Sequence, residues 1–588
     1  MYFFDVENHN YFFSILKSFL LIFGFIQFGT FFIKRFFNFN SSNYEEISLS
    51  FGIGITIFLI ILYPLLLFFT VFSDFFILLS YFLIVLGCVF ILRIDFKNFY
   101  KSFKENFFCL LIVILLLFAS LNPPSEIDTL AYHMQSGYDL LNYRKIILNE
   151  FSFLSYLGGN FQTITAIASS VGAEEFHGLV QGFSLVMISF LFIKRNKLIF
   201  YLCYCPLVLP ALYLMGKPYL IFVCLITQSV FVFFKTFQFR EYSESTKSFY
   251  PLVLISSMLY VSFLGKFSFA IIIFFLNFYF FFKLIKNKQN LSLFVLANIS
   301  CIFIIIIPFF LYRFHFDGFM LTNLDVFFNF KGSNIFVEYL KAYNTDRFFI
   351  NFIIPKEMQN ISRVFGPILF IIIFLLFNIK KNKNFIFILF ILLSVIIKFK
   401  YFNMSPRFFL EEYFVVITFL AFSTYQIKFY KLIYNLTSLN LILISAINLF
   451  FSIHNLNLLF SKNYTNFYIN KSYNYELWSK VNQSKNLNKN DLLITELDSS
   501  IFYEGKVKKF DFHLYLGKTY PSYFINLKNL RPNYLLIVST INPDGNNLSL
   551  LKKYFNLKKI EEFQYKVSTK NIFKEDELKM AILYSIKY

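Results

Sequence analysis

Residues 74–92 read DFFILLSYFLIVLGCVFIL, and residues 93–104 read RIDFKNFYKSFK. The first run has one charge, Asp74, at its start. A helix of that length reaches about 28 Å, close to the thickness of a bilayer's hydrocarbon core. The second run carries four Lys or Arg against one Asp. An apolar run of membrane length closed by a basic loop reads as a span whose following loop stays in the cytoplasm.

The same alternation recurs along the chain. Apolar runs fall at roughly 11–33, 48–72, 74–92, 107–121, 175–193, 198–215, 219–234, 251–265, 267–283, 291–312, 364–379, 385–398, 409–425 and 436–453. The expected fold is therefore a polytopic α-helical membrane protein of about fourteen transmembrane helices. Composition agrees: 57% of residues are hydrophobic and only 15% charged, against roughly 25% charged in soluble domains. The abundance of Phe, Ile, Asn and Lys reads as codon drift, so the 92 Phe carry no functional meaning of their own.

The net charge of +20 does not read as nucleic-acid binding, because the basic residues gather in short loops between spans. The loops KRNK (194–197), KTFQFREYSESTK (235–247), KLIKNK (283–288) and KKNKN (380–384) join 93–104 on the cytoplasmic side under strict alternation. The loops 122–174, 216–218, 313–363 and 399–408, and all that follows about residue 454, then lie outside. All six cysteines fall in or beside apolar runs, without the spacing of a disulfide framework or a zinc site. The first run lacks a small-residue cleavage site, so it reads as a retained span rather than a signal peptide. The expected location is a cell inner membrane, with the tail in the periplasm.

Beyond residue 454 the chain becomes polar. Strand-like runs at 491–497, 533–540 and 579–588 and a short helix at 547–555 predict a small α/β domain. The expected division is 1–106 as additional N-terminal spans, 107–453 as the transmembrane core and 454–588 as the outer domain.

The first outer loop opens with PPSEIDTLAYHMQSGYDLLNYRK (123–145). Pro123-Pro124 ends the preceding span. Ser125 and Asp128 have capping-box spacing, with Asp in the usual Glu or Gln place. A helix is expected from about Thr129. It puts Leu130, Met134 and Leu141 on one face with Gly137 between them, and Asp128, Tyr132, Gln135 and Asp139 on another. Such a helix is expected to lie on the membrane surface, apolar side down. Asp128 has two readings: a cap for that helix, or a general base at the membrane–water boundary that takes the proton of an attacking acceptor. A lipid-phosphate leaving group there needs cations, for which Arg144, Lys145, Lys217, Arg313, Arg347 and Arg407 are candidates. Glu126 lies just before the helix and could help hold a metal or an acceptor, and His133 in the same motif is a substrate-binding candidate. No cofactor is indicated, and no metal ligands are assigned.

The stretch Asp128-Thr-Leu-Ala-Tyr-His-Met134 is similar to a first-loop D-x-L-x-Y-H-L pattern. With NFQTITAIASSVGAEEFHGLVQGF (160–183), GKFSFAIIIF (265–274) and SPRFFLEEYF (405–414), it resembles the GT-C glycosyltransferases, integral-membrane enzymes that use polyprenyl-phosphate sugars. The nearest likeness is to bacterial relatives of the protein mannosyltransferases and the lipid A aminoarabinose transferases. The resemblance covers roughly 107–453. It implies transfer of a sugar from a polyprenyl-phosphate donor to a lipid or glycan acceptor on the outer face. It also implies inversion, with Asp128 as base, Arg407 as the late-span arginine, and Glu126, Tyr132, His133, Arg144, Lys217, Arg313 and Arg347 near the substrates. Many such enzymes carry a second acid in the next outer turn, where this chain has Met215-Gly216-Lys217-Pro218. The competing readings are an envelope polysaccharide polymerase or ligase, and a multi-span transporter or flippase.

Overall fold

The structure, a computed structural model, describes residues 4–36, 42–68, 72–93, 104–124, 129–143, 160–208, 219–238, 249–285, 288–317, 353, 364–379, 385–401, 406–423, 430–460, 472, 474–497, 500–510, 525, 527–539, 546–567 and 577–588. Among them, six helices are long and apolar enough to cross a membrane, and five more are apolar but shorter. Their outward surfaces carry large apolar side chains: Leu78, Phe303, Ile442 and Phe450 are each more than 60% exposed. Water would penalise such a surface, whereas lipid would not.

Helices α1 (Tyr11–Phe36), α2 (Asn43–Phe68) and α3 (Phe72–Leu92) pack side by side. Glycine makes their close approach possible. A Cβ at Gly54 would stand 1.9 Å from the Phe25 carbonyl oxygen, and one at Gly29 would stand 1.8 Å from that of Ser50. Gly24 and Gly87 play the same part between α1 and α3, where a Cβ would come within 2.2 Å and 2.1 Å of the Leu83 and Leu20 carbonyl oxygens. Contact at small residues holds helices together where lipid removes the hydrophobic drive between them. Gly54→Val is expected to lower stability by at least about 2 kcal/mol through forced separation of α1 and α2, measured by thermal unfolding in detergent.

The chain continues through α4 (Phe107–Ala119), then a π-turn at Thr129–Met134 that runs into α5 (Gln135–Tyr143), α6 (Asn160–Ser170) and α7 (Phe176–Phe190). The short α8 (Lys197–Leu202) is followed by a 3-10 turn at Pro206–Val208. The single span expected over 198–215 is therefore broken in its described part. Pro206 supplies no N–H and biases Cys205 away from helix. Helix α9 (Leu220–Phe233) is buried along its whole length and forms the centre of the bundle. Around it stand α10 (Phe249–Gly265), α11 (Ala270–Leu284), α12 (Lys288–Cys301) and α13 (Ile307–Asp317), the last two joined through a π-turn. Because α13 runs to Asp317, Arg313 lies in a helix and not in a loop beginning at 313 as expected. The bundle is completed by α14 (Ile368–Phe377), α15 (Phe385–Tyr401), α16 (Leu410–Ala421) and the 31-residue α17 (Tyr430–Phe460). Asn455 on α17 donates to the Phe118 and Ala119 carbonyls at the end of α4, both at 3.0 Å.

The tail begins with α18 (Tyr475–Gln483), whose Trp478 is fully buried. Five strands follow: β1 (Leu493–Thr495), β2 (Val507–Lys509), β3 (Tyr534–Ser539), β4 (Asn556–Val567) and β5 (Glu577–Lys587), with α19 (Asn546–Tyr554) before β4. The order is β2-β1-β3-β5-β4, parallel from β2 through β3 and antiparallel beyond. The expected strands and helix are present. Edge strand β4 and short β2 are additions. Seven of the twelve residues of β4 are polar, which hides its inward alternation of Phe563, Tyr565 and Val567.

Buried ion pairs mark the two ends of the bundle. At one end Glu45, opening α2, receives Arg195 Nε at 2.9 Å and Lys235 Nζ at 2.8 Å. The loops at 194–197 and after 234 thus meet at one end, as strict alternation requires. The C-terminal domain sits at the opposite end. There Phe4 N donates to the Ile501 carbonyl at 3.4 Å, and the Ser500 hydroxyl lies 3.4 Å from Gln135 Oε1.

Candidate functional site

The polar groups at the domain end begin with the turn between α6 and α7. Gly172 adopts φ +67°, a left-handed conformation open to glycine, and closes α6. Its N–H bonds the Ser169 carbonyl, and Ala173 N–H reaches back to Ala168 at 3.0 Å. This double closure is a Schellman ending. Glu174 and Glu175 follow at the start of α7, where the helix dipole favours anions.

The residues before α1 bring the counter-charge. Asn8 bonds Asp5 through its N–H at 3.1 Å and its amide at 2.6 Å, a tight turn that returns His9 toward the bundle. His9 places Nδ1 3.4 Å from Glu174 Oε2 and Nε2 3.2 Å from Glu175 Oε2. The His9 and Glu174 side chains are each 6% exposed, and that of Glu175 is fully buried. Burial pulls the imidazole down, but the adjoining Glu175 and Glu174 carboxylates outweigh it and push His9 up to about 9. Burial also raises the Glu174 carboxyl, against the opposing pull of His9. Ser14 donates to Glu175, and Tyr138 on α5 donates to Glu174 Oε1 at 2.9 Å. One cluster therefore joins the N-terminal segment, α1, α5 and the α6–α7 turn.

Helix α5 is not a surface helix. Leu130, Met134, Leu140 and Leu141 are buried, and so are His133, Ser136 and Tyr138 from other faces. Gly137 lies against Thr165 and Ala166 of α6, where a Cβ would meet Thr165 Oγ1 at 2.8 Å. The expectation of a helix lying on lipid fails because α6 and the C-terminal domain cover the sides that an interfacial helix would give to lipid and water. His133 sets its ring edge against Phe161 at 6.1 Å, and Phe161 in turn meets the buried His177 at 5.9 Å.

Asp139 on α5 accepts from Gln135 at 3.0 Å and faces the charge of Lys509 on β2. Burial dominates and pushes its carboxyl up to about 6. An acid whose folded value is raised holds its proton longer when folded, so its contribution favours folding at low pH and is lost as pH rises from about 4 through about 6. Asp139→Asn is expected to add about 1–3 kcal/mol at pH 8 and to make no difference at pH 3.5. Unfolding of both proteins across that range checks it.

A second cluster lies nearby. Gln181 of α7 accepts the Leu220 N–H at 2.9 Å, so α7 and α9 start at the same end. Tyr219 donates to Glu411 at 3.2 Å, and Lys398 pairs with Glu411 and, at 2.7 Å, with Glu412. Lys266 stands 3.8 Å from the centre of the Tyr219 ring and 4.7 Å from that of Phe408.

Among the candidates from sequence, Asp128, Glu126, Arg144, Lys145, Lys217 and Arg347 lie outside the described residues, and of Tyr132 and Arg407 only the backbone is described. His133 is buried beside α6. Arg313 is buried, 6.0 Å from the centre of the Phe309 ring. The sequence reading passed over His9, Glu174, Glu175, Lys398, Glu411 and Glu412 as site residues. A signal was available: three Glu-Glu doublets, at 45–46, 174–175 and 411–412, each stand at the mouth of an apolar run. Carboxylates there are costly unless partnered. The chain matches no family model, no curated protein and no solved structure.

Proposed function

We propose that this chain is a membrane-embedded glycosyltransferase. It would move a sugar from a polyprenyl-phosphate donor to a lipid or glycan acceptor on the outer face of a cell inner membrane, with the C-terminal domain in the periplasm. The observation that carries the reading is the setting of the helix that follows Asp128. This helix bears the stretch similar to the first-loop pattern. It is held by Glu174 through Tyr138 and contacted by the C-terminal domain through Ser500. A buried, braced helix gives a catalytic motif the rigid support that a positioned base requires.

In the proposed reaction the acceptor oxygen bonds the anomeric carbon as its proton passes to Asp128. The bond from that carbon to the phosphate oxygen breaks, and the phosphate keeps the electron pair. The cations proposed to receive that charge are Lys217, Arg144, Arg347 and Arg407. The test compares envelope glycans and lipid-linked sugars, by mass spectrometry, between native cells and an Asp128→Asn strain with matched protein levels. Loss of one sugar from a glycan, with accumulation of its lipid-linked donor, is the expected result. Unchanged glycans and donors would return Asp128 to the role of a helix cap.

A further inference from the structure

We propose that His9, Glu174 and Glu175 form a binding site for one divalent transition-metal ion, of the class of Mn²⁺ or Zn²⁺. One donor atom from each residue lies within 4.8 Å of the others. Nε2 of His9 stands 3.2 Å from Glu175 and Nδ1 3.4 Å from Glu174, and an ion would take one of these two ring nitrogens. Ligand bonds of about 2.1 Å at tetrahedral angles put neighbouring donors about 3.4 Å apart. Donors within 4.8 Å of one another reach that spacing by a small inward turn of the imidazole and carboxylates.

A second observation points the same way. Glu174 Oε2 is buried and accepts no hydrogen bond, while it faces His9 Nδ1. Its contact is the His9 ring 3.4 Å away, and an ion bound there would give this buried oxygen a direct ligand bond. The outer shell is built as well. Tyr138 holds the other Glu174 oxygen at 2.9 Å, and the Ser14 hydroxyl holds Glu175. Such partners orient ligands and tune their basicity.

The donor set selects the metal class. One imidazole and two carboxylates suit borderline ions better than Mg²⁺ or Ca²⁺, which favour all-oxygen shells. Two carboxylates neutralise a dication, and the ligating ring nitrogen gives up its proton. Lys17, on the neighbouring turn of α1, donates to the Val171 carbonyl at 2.6 Å. The ion would tie the segment before α1 to the turn that opens α7. The proposal does not rest on the glycosyl-transfer reading.

The test uses the full chain, purified in detergent and stripped with a chelator. Mn²⁺ is titrated in and followed by electron paramagnetic resonance. The expected result is one Mn²⁺ per chain with a single histidine nitrogen coupling. Glu174→Gln, which keeps the shape and the Tyr138 contact, should weaken binding at least tenfold. His9→Gln should remove the nitrogen coupling. If His9→Gln does not fold, the wild-type coupling together with Glu174→Gln decides. Failure of folded wild-type protein to bind Mn²⁺ or Zn²⁺, binding unchanged in Glu174→Gln, or a nitrogen coupling that survives in His9→Gln would each overturn the proposal.

Discussion

Asp128→Asn is expected to lower turnover of the purified protein on a polyprenyl-phosphate sugar by about 10²–10⁴-fold, the usual worth of a positioned general base. Asparagine keeps the size and the hydrogen-bonding oxygen of aspartate but cannot take the acceptor's proton. It also caps a helix about as well as aspartate, so the melting temperature should not move. These two readouts separate the two roles open to Asp128. A base gives lost turnover at unchanged stability and unchanged donor affinity. A cap gives near-normal turnover in Asn and a loss of about 1 kcal/mol of stability only in Asp128→Ala. Turnover at the wild-type level in the Asn variant would sink the proposed mechanism.

The largest stability effect is expected at Lys398. Its ammonium lies between two carboxylates that have almost no access to solvent, Glu411 at 0% and Glu412 at 3% exposure. Among the described side chains, Lys398→Met leaves the Tyr219 hydroxyl for Glu411 and the Ser394 hydroxyl, at 2.7 Å, for Glu412. Stranding a buried charge costs about 3–5 kcal/mol, enough to consume much of a typical fold's margin. The double variant Lys398→Met/Glu411→Gln should recover part of that loss, because it removes one stranded charge. Lys489→Met breaks a pair with Glu504 whose side chains are 43% and 39% exposed. It should cost less than about 1 kcal/mol. Unfolding of the three variants in detergent gives the comparison, and equal losses at Lys398 and Lys489 would show that the buried cluster is not dry.

Local pattern carried the reading of α3. Its run of apolar residues and the basic loop behind it need no partner to be recognised, because hydropathy and length act on one segment at a time. The same holds for α1, α2, α12 with α13, and α17, and for the short apolar runs of β3 and β5. The strand β4 escaped because half-polar edge strands resemble loops in composition. The break at Cys205-Pro206 escaped because the surrounding residues are as apolar as a span.

The sequence by itself determined a chain of apolar helices with alternating basic loops and a small α/β tail. Only the tertiary structure decided that the helix behind Asp128 is enclosed rather than laid on lipid, since its cover comes from α6 and from a domain more than 300 residues away. Only the fold joined His9 to Glu174 and Glu175 across more than 160 residues, and Glu45 to Arg195 and Lys235 at the other end. The reason is physical. Hydrophobicity is a property of each segment. The choice of partner for a buried charge is a property of geometry, made by whichever opposite charge the packed helices bring within reach.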